Sequence, residues 1–302
     1  MRDAAVRDIQ VRSGSFRLAG TLSNPVESPI ATLLMHPGSG PSTRDNDVYF
    51  PEIRAHLLRS GIAVASFDKR GVGGSTGDWR DAGIVEQADD VAAAGDALIG
   101  EGVTSPLGVF GHSQGGWVVI EAASRGAPVA FVISNSGPGV TAGVQDRFSL
   151  GNVARRAGLK SSDVDELLHG FDVVVALLRS GASLAEARTR LGALGLDGEP
   201  SPISFLADDE REWNLAGLIL EHDPVPAMRS IGVPLLALFG ADDEVVPVDE
   251  SVRSFRSNVH PQLLSIAVLA GGDHRVQGGN PKRLVDGYAR TLVRFISSCS
   301  RT

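Results

Sequence analysis

Short apolar segments alternate with amphipathic segments along most of the chain. Runs rich in β-branched and apolar residues predict strands, and segments with apolar residues at helical spacing predict helices. The predicted strands are 31–35, 62–67, 107–110, 129–134, 233–239 and 263–269, and the predicted helices are 53–58, 86–99, 117–123 and 281–296, the last with Pro281 at its start. This alternation predicts an α/β fold with a mostly parallel sheet that is covered by helices on both faces.

Two further strands are predicted before this series. Residues 9–22 mix alternating apolar and polar positions around Gly14, which is typical of a β-hairpin. With the hairpin, the predicted sheet has eight strands. Ligand sites in such sheets lie at the carboxyl ends of the parallel strands, so we expect the chemistry there.

The alternation of predicted strands and helices stops between residues 140 and 229. This segment contains helical patterns and no strand-like apolar runs. Ser162 and Ser183 each stand three residues before an acidic residue, which is the pattern of a helix capping box. One helical stripe is apolar and is expected to serve packing: Val164, Leu167, Leu168, Phe171, Val174, Val175 and Leu178. We interpret residues 140–229 as a helical cap inserted into a core of residues 1–139 and 230–302.

Composition and charge narrow the class of partner. The 302-residue chain is 42% hydrophobic, which is enough for a large buried core. Its net charge of -8 argues against nucleic acid, so a small molecule is the expected partner, and a homodimer stays open. Cys299 is the only cysteine, which excludes an intrachain disulfide. Neither a signal-peptide pattern nor an apolar run of roughly 18 residues is found, so we expect a cytoplasmic protein without a membrane partner.

The motif G-x-S-x-G occurs twice, around Ser75 and around Ser113. One match alone means little in a chain with 36 glycines, so the context must decide between them. A nucleophilic serine of this type needs a strand before it and a helix after it. Ser113 follows the strand 107–110 and precedes an apolar helical segment, whereas a polar loop follows Ser75. Ser113 is therefore the predicted nucleophile.

A serine hydroxyl needs a base to remove its proton, and the expected chain order is serine, acid, histidine. Of the seven histidines, only His274 follows the last predicted strand. The acid is expected after the strand 233–239, where Asp242, Asp243 and Glu244 are adjacent. Residue chemistry alone does not rank these three, although position after the glycine favours Asp243, with Asp242 second.

Backbone amides are predicted to bind the oxyanion that forms during acyl transfer. The small residues of the loop 36–41 allow a close approach to a substrate oxygen, and Gln114 lies at a helix N-terminus. We assign the N–H groups of Ser39 and Gln114 to this role, with an ordinary turn as the alternative for the loop. This chemistry requires no cofactor and no metal.

Taken together, these segments resemble the α/β-hydrolase superfamily, from about Ser15 to the C-terminal helix. The matching segments are 36–41 (HPGSGP) to the oxyanion loop, 68–75 (DKRGVGGS) to the D-x-R-G-x-G-x-S turn, 111–115 (GHSQG) to the nucleophile elbow, 240–247 (GADDEVVP) to the acid turn G-x-x-D-x-x-V-P, and 273–274 to the histidine loop. The resemblance implies Asp243 rather than Asp242 as the acid. It is strongest to bacterial serine esterases of the serine-aminopeptidase-like group, although Pro37 stands where glycine is usual.

The expected function is therefore hydrolysis of a small uncharged ester by Ser113, Asp243 and His274. An acyl thioesterase or a peptidase/amidase could share this triad, and a non-catalytic ligand-binding protein could share the fold. Residues 141–228 contain 14 acidic against 8 basic residues, which disfavours a polyanion such as coenzyme A. Four aromatic residues are candidates for either the pocket or the core: Trp117, Phe148, Phe171 and Trp213.

Overall fold

An eight-stranded sheet forms the centre of the computed structural model, which describes residues 5–198 and 200–300. Its strands are β1 (Ala5–Ser13), β2 (Phe16–Asn24), β3 (Ala31–His36), β4 (Ile62–Phe67), β5 (Leu107–His112), β6 (Phe131–Asn135), β7 (Leu235–Gly240) and β8 (Leu264–Leu269). They lie in the order β1-β2-β4-β3-β5-β6-β7-β8. The first two pairings are antiparallel and the rest are parallel. The predicted hairpin and the predicted mostly parallel sheet are confirmed.

Helices cover both faces of this sheet. On one face, α1 (Tyr49–Arg59) and α10 (Tyr288–Cys299) pack on a cluster that includes Leu33 and Phe110. On the other face, α2 (Ile84–Gly100), α3 (Gln114–Ser124) and α9 (Val248–Asn258) pack on a cluster that includes Leu34 and Val109. Successive strand residues thus face opposite clusters, which explains why the central strands read as continuous apolar runs.

Five helices separate β6 from β7: α4 (Ala142–Arg156), α5 (Ser161–Arg179), α6 (Leu184–Leu194), α7 (Glu210–Leu220) and α8 (Val225–Ser230). The described residues between 140 and 229 contain no strand, as predicted. The apolar stripe of α5 packs in two clusters of its own with side chains from α4, α6 and α7. The division into a core and a cap stays a prediction, and its outermost residues, 1–4 and 301–302, lie outside the described part of the chain.

The two predicted capping boxes have different outcomes. Ser183 caps α6: its hydroxyl accepts the Glu186 N–H, and the Glu186 carboxylate accepts the Ser183 N–H. The prediction for Ser162 is wrong, because α5 begins at Ser161, two residues earlier than an N-cap at Ser162 requires, and its N-cap is Lys160. Ser162 therefore lies inside the first turn, where its hydroxyl donates to the Asp163 carboxylate instead.

Exposed ion pairs connect α7 to a 3-10 turn at Trp79–Asp81 that follows β4. The Arg211 guanidinium lies 2.8 Å from both Asp78 and Asp81, and Arg80 lies 3.2 Å from Asp209. Exposed pairs of this kind each contribute at most about 1 kcal/mol. These pairs connect α7 to the 3-10 turn that follows β4.

The predicted closing helix starts later than expected. Residues 283–284 form a short strand, β10 (Arg283–Leu284), which pairs with β9 (Gln277–Gly278), and α10 begins only at Tyr288. Leu284 and Val285 pack against the core from this extended segment, so their apolar spacing does not belong to the helix. Among the described residues, no helix is both long and apolar enough to cross a membrane.

Candidate active site

Ser113 occupies a strained turn between β5 and α3. Its φ of 54° and ψ of -124° place a residue with a side chain in a region that normally favours glycine. The neighbouring glycines are needed for this turn: a β-carbon at Gly111 would lie 1.9 Å from the Gly115 carbonyl oxygen, and one at Gly115 would lie 2.5 Å from the Pro37 oxygen. The turn leaves Ser113 half-buried at the N-terminus of α3.

The other motif serine, Ser75, is a buried structural residue. Its hydroxyl donates to the Asp68 carbonyl oxygen at 2.8 Å and accepts from the Ala19 N–H at 2.9 Å. Both contacts connect the turn after β4 to the second strand of the hairpin. The sequence prediction that Ser75 belongs to a loop is confirmed.

His274 is hydrogen-bonded to one of the three adjacent acids. Its Nδ1 lies 2.9 Å from Oδ2 of Asp243, whose side chain is completely buried, while the histidine side chain is 20% exposed. The other carboxylate oxygen accepts the N–H groups of Val245 and Val246. Asp242 is exposed, and Glu244 pairs with Arg156. Only Asp243 is therefore placed to orient His274.

Backbone packing explains why the acid and the histidine meet. A β-carbon at Gly240 would lie 2.2 Å from the carbonyl oxygens of both Gly272 and Asp273, so only glycine lets the histidine loop rest on the end of β7. The Asp242 N–H donates to Gly272 at 2.8 Å. The Asp273 carboxylate in turn accepts N–H groups from within the loop and fixes its shape.

The ring of His112, next to the serine in the chain, contacts His274. The two ring centroids lie 5.0 Å apart, and Tyr49 packs on His112 at 4.8 Å. Burial, and then the proximity of His274, hold the pKa of His112 well below its ordinary value, so this ring is neutral. No hydrogen bond joins the Ser113 hydroxyl to His274 within the described residues. His274 instead contacts the ring of His112, the residue that precedes Ser113.

The predicted oxyanion residues lie on the same cavity as Ser113. Ser39 and Gln114 line it, and a β-carbon at Gly38 would lie 3.4 Å from Cβ of Ser113. The Ser39 N–H donates to no carbonyl among the described residues. Gln114 is the first residue of α3, where an N–H has no partner within its helix. Both residues thus border the same cavity as Ser113, and their N–H groups have no backbone partner among the described residues.

This cavity has a volume of about 370 Å³ and lies between the strand ends and the helices α4 and α7. Its apolar wall includes Leu215 and Ile219, and its polar wall includes Asp146 and Glu212. Asp146 makes no hydrogen bond or ion pair with any described side chain, and burial raises its pKa to about 7. The Glu212 carboxylate accepts the Asp208 N–H.

Of the four candidate aromatic residues, one lines the cavity, two belong to apolar clusters, and Phe148 belongs to neither. Trp117 lines the cavity, and its buried Nε1 has no acceptor within the described part of the chain. Phe171 and Trp213 belong to the apolar clusters among the helices, and Phe148 does not line the cavity.

Comparison with known proteins identifies the family. A model described as the alpha/beta hydrolase family matches residues 33–286. The chain belongs to the alpha/beta hydrolase family. The expected fold is thereby confirmed, and no curated protein matches the sequence.

Solved structures of other alpha/beta hydrolases are similar over almost the whole chain. An esterase of Pyrococcus furiosus has a TM-score of 0.65 at 17% identity, over 98% of this chain and 91% of its own. The proline iminopeptidase of Mycobacterium smegmatis has a TM-score of 0.64 at 18% identity, over 97% of this chain and 99% of its own. Est1E of Butyrivibrio proteoclasticus, solved with ferulic acid, has a TM-score of 0.60 at 16% identity, over 96% of each chain. At these identities the likeness shows the fold, and together with the family it supports a hydrolase.

Sequence reasoning missed two kinds of residue in this alpha/beta hydrolase. Chain order argues against His112 as the base, and its ring contact with His274 has no sequence signal. Asp146 and Glu212 lie on separate helices of the α4–α8 segment, and only the three-dimensional packing brings them to the cavity. Their acidic character was visible only as the surplus of acidic residues in that segment.

Proposed function

We propose that this alpha/beta hydrolase is a serine hydrolase that cleaves small uncharged carboxylic esters through an acyl-enzyme intermediate. Ser113 is the nucleophile, His274 the base and Asp243 the residue that orients the base. The observation that carries the proposal is the strained turn at Ser113, which lies at the head of α3 on a cavity, together with the hydrogen bond between Asp243 and His274.

The proposed reaction follows from the positions of these groups. With Nδ1 of His274 donating to Asp243, Nε2 is left to accept the Ser113 proton as Oγ attacks the carbonyl carbon. The carbonyl π electrons move to oxygen, and the N–H groups of Ser39 and Gln114 bind that oxyanion. Collapse of the intermediate breaks the C–O bond, and His274 gives its proton to the departing alkoxide. A water molecule then repeats the attack on the acyl-enzyme and releases the carboxylic acid.

The charge of the cavity favours an uncharged acyl group. Two carboxylic acids and no lysine or arginine are found among its described lining residues. An anionic substrate such as an acyl-coenzyme A would meet repulsion there without a basic partner, which disfavours the thioesterase alternative. In this proposal the α4–α8 segment acts as a cap whose helices α4 and α7 form the acyl wall.

A specific observation favours a second candidate, a peptidase or amidase acting on substrates with a free amine. Asp146 lines the cavity without a partner among the described side chains. A carboxyl group that is shielded from solvent and has no partner gains most from a cationic or hydrogen-bond-donating ligand. To separate the candidates, we would compare amino-acid p-nitroanilides with p-nitrophenyl acetate, using Asp146→Asn and wild type. If Asp146→Asn hydrolyses only the amine substrates more slowly than wild type does, the second candidate is supported. If Asp146→Asn and wild type hydrolyse both kinds of substrate at equal rates, the second candidate is excluded.

The primary test measures ester turnover and serine reactivity together. Wild type, Ser113→Ala and Ser75→Ala are incubated with p-nitrophenyl acetate and butyrate at a temperature where all three are folded. We expect turnover in wild type and Ser75→Ala and none above background in Ser113→Ala. If wild type neither turns over any ester nor reacts with a fluorophosphonate, the non-catalytic alternative replaces this proposal.

A further inference from the structure

We infer that Lys69 is a positioning residue for the oxyanion site: it holds and polarises the peptide group whose N–H is that of Ser39. This inference rests on the proposed function of Ser39. Lys69 lies in the turn after β4, in the segment DKRGVGGS, and it is buried. Nothing in the triad chemistry itself requires a lysine there.

Two hydrogen bonds connect Lys69 to the loop that carries Ser39. Its Nζ donates to the Gly38 carbonyl oxygen at 2.5 Å, and its backbone N–H donates to the Ser42 carbonyl oxygen at 3.2 Å. The lysine therefore binds the loop on either side of Ser39. The Ser42 hydroxyl adds a third restraint inside the loop, since it donates to the Ser39 carbonyl oxygen at 3.1 Å.

The contact with Gly38 acts directly on the proposed oxyanion donor. The Gly38 carbonyl and the Ser39 N–H belong to one planar peptide group, so fixing the oxygen fixes the direction of the N–H. A donor at the carbonyl oxygen also draws electron density from the amide nitrogen, which makes the N–H a stronger donor. Lys69 can thus strengthen the Ser39 N–H without touching the substrate.

Lys69 forms no ion pair with any described residue. Its neighbours in the turn are paired elsewhere, Asp68 with Arg44 at 2.7 Å and Arg70 with Asp90 at 2.8 Å, and no described carboxylate pairs with Lys69. Burial lowers the pKa of Lys69 to about 7. Both protonation forms of the amine retain an N–H for the Gly38 oxygen, so the restraint persists through the neutral range.

The same lysine also reaches the second proposed oxyanion donor. Its Nζ lies 3.4 Å from Oε1 of Gln114, and Nε2 of Gln87 lies at the same distance from that oxygen. His36 continues the network to Gln87 at 3.2 Å. These contacts hold the Gln114 side chain next to Lys69. The backbone N–H of Gln114, which is the proposed oxyanion donor, lies at the N-terminus of α3.

The test compares Lys69→Met with Arg70→Met. Methionine keeps much of the side-chain length and removes the donor and the charge. Arg70 is the matched control, because it is the next residue, is equally buried and loses an ion pair that lies away from the oxyanion loop. Each variant is assayed on a p-nitrophenyl ester and on the corresponding thionoester, whose sulfur is a poor hydrogen-bond acceptor and depends less on the oxyanion site.

For Lys69→Met we expect kcat on the oxygen ester to fall about 10-fold with KM within about twofold, since one weakened donor costs less than the 100-fold or more of a deleted one. The ratio of oxygen ester to thionoester rates should fall by a similar factor. Arg70→Met should lower the melting temperature and keep the ratio. Lys69→Arg, which retains a donor, should recover most of the ratio. An unchanged ratio in Lys69→Met, or an equal fall in Arg70→Met, would overturn the inference.

A second measurement does not depend on turnover. The ¹H chemical shift of the Ser39 amide should move upfield in Lys69→Met and stay in place in the exposed-lysine control Lys160→Met. If wild type hydrolyses esters through Ser113 but Lys69→Met changes neither the Ser39 amide shift nor the ratio of oxygen ester to thionoester rates, the inference about Lys69 is wrong and the proposed function stands. If wild type has no activity and Ser113 is unreactive, the proposed function fails, and the inference that rests on it falls as well.

Discussion

Asp243 uses its two carboxylate oxygens for different partners: Oδ2 lies 2.9 Å from Nδ1 of His274, and Oδ1 accepts backbone N–H groups of Val245 and Val246. The backbone contacts fix the carboxylate, and the carboxylate then fixes the imidazole. Because the side chain is completely buried, solvent does not compete for either oxygen.

We predict that Asp243→Asn lowers kcat by about 10⁴-fold, because the amide can present its N–H to Nδ1 and favour the wrong tautomer. The measurement is steady-state turnover of p-nitrophenyl acetate at neutral pH. Asp242→Asn is the matched control, since Asp242 is adjacent, is exposed and lies outside this contact; its kcat should change less than about threefold. Equal losses in the two variants would refute the role of Asp243.

Replacing Ser75 should separate stability from activity. Ser75→Ala leaves the buried Ala19 N–H and Asp68 carbonyl without their hydroxyl partner, so we expect a loss of about 1–3 kcal/mol in the free energy of unfolding. Urea denaturation measures this loss. The kcat of the folded variant should stay near that of wild type, and a collapse of kcat without loss of stability would give Ser75 a chemical role.

Gly240 is predicted to control the position of the histidine loop. A β-carbon there would lie 2.2 Å from two backbone carbonyl oxygens, so Gly240→Ala must displace the loop that carries His274. We expect an overpacking cost of about 1–3 kcal/mol and a large fall in kcat. Gly232→Ala, where a β-carbon meets nothing within 4 Å, is the control and should leave kcat unchanged. Wild-type kcat in Gly240→Ala would contradict this packing argument.

Asp146 should make stability depend on pH. Burial raises its pKa from 3.8 to about 7, so between these values the folded chain keeps a proton that the unfolded chain has lost. The free energy of unfolding then falls as pH rises through this window. The melting temperature of Asp146→Asn, relative to wild type, should therefore rise between about pH 4 and pH 8.

The exposed Asp165, also in the α4–α8 segment, provides the control for general loss of negative charge. The difference in melting temperature between Asp165→Asn and wild type should vary less over the same pH range. A difference in melting temperature between Asp146→Asn and wild type that does not change with pH would show that burial does not raise the pKa of Asp146.

Local sequence was enough to predict the turn at Ser113. The strand before it, the glycines around it and the apolar helix after it are contiguous, so one segment contains all the constraints on its backbone. The contact between Asp243 and His274 follows less directly, because it needs Gly240 and the close approach of two loops. Chain order and resemblance selected Asp243, and residue chemistry alone left Asp242 open.

Features that depend on packing between distant segments could not be read from the pattern. Helix α9 was not predicted, since it is mostly polar and buries only Ser251 and Phe255. The start of α10 was misplaced because Leu284 packs from a strand rather than a helix. The position of Lys69 beside Gly38 joins residues that lie far apart in sequence, and the segment DKRGVGGS gives no sign of that contact.

The most direct test of the central claim is the site of covalent modification by a fluorophosphonate, located by mass spectrometry of peptides from the intact, folded protein. The account predicts a single adduct on Ser113, absent from Ser113→Ala and slowed strongly in Asp243→Asn. An adduct on Ser75 or Ser39, or undiminished labelling of Ser113→Ala, would contradict it.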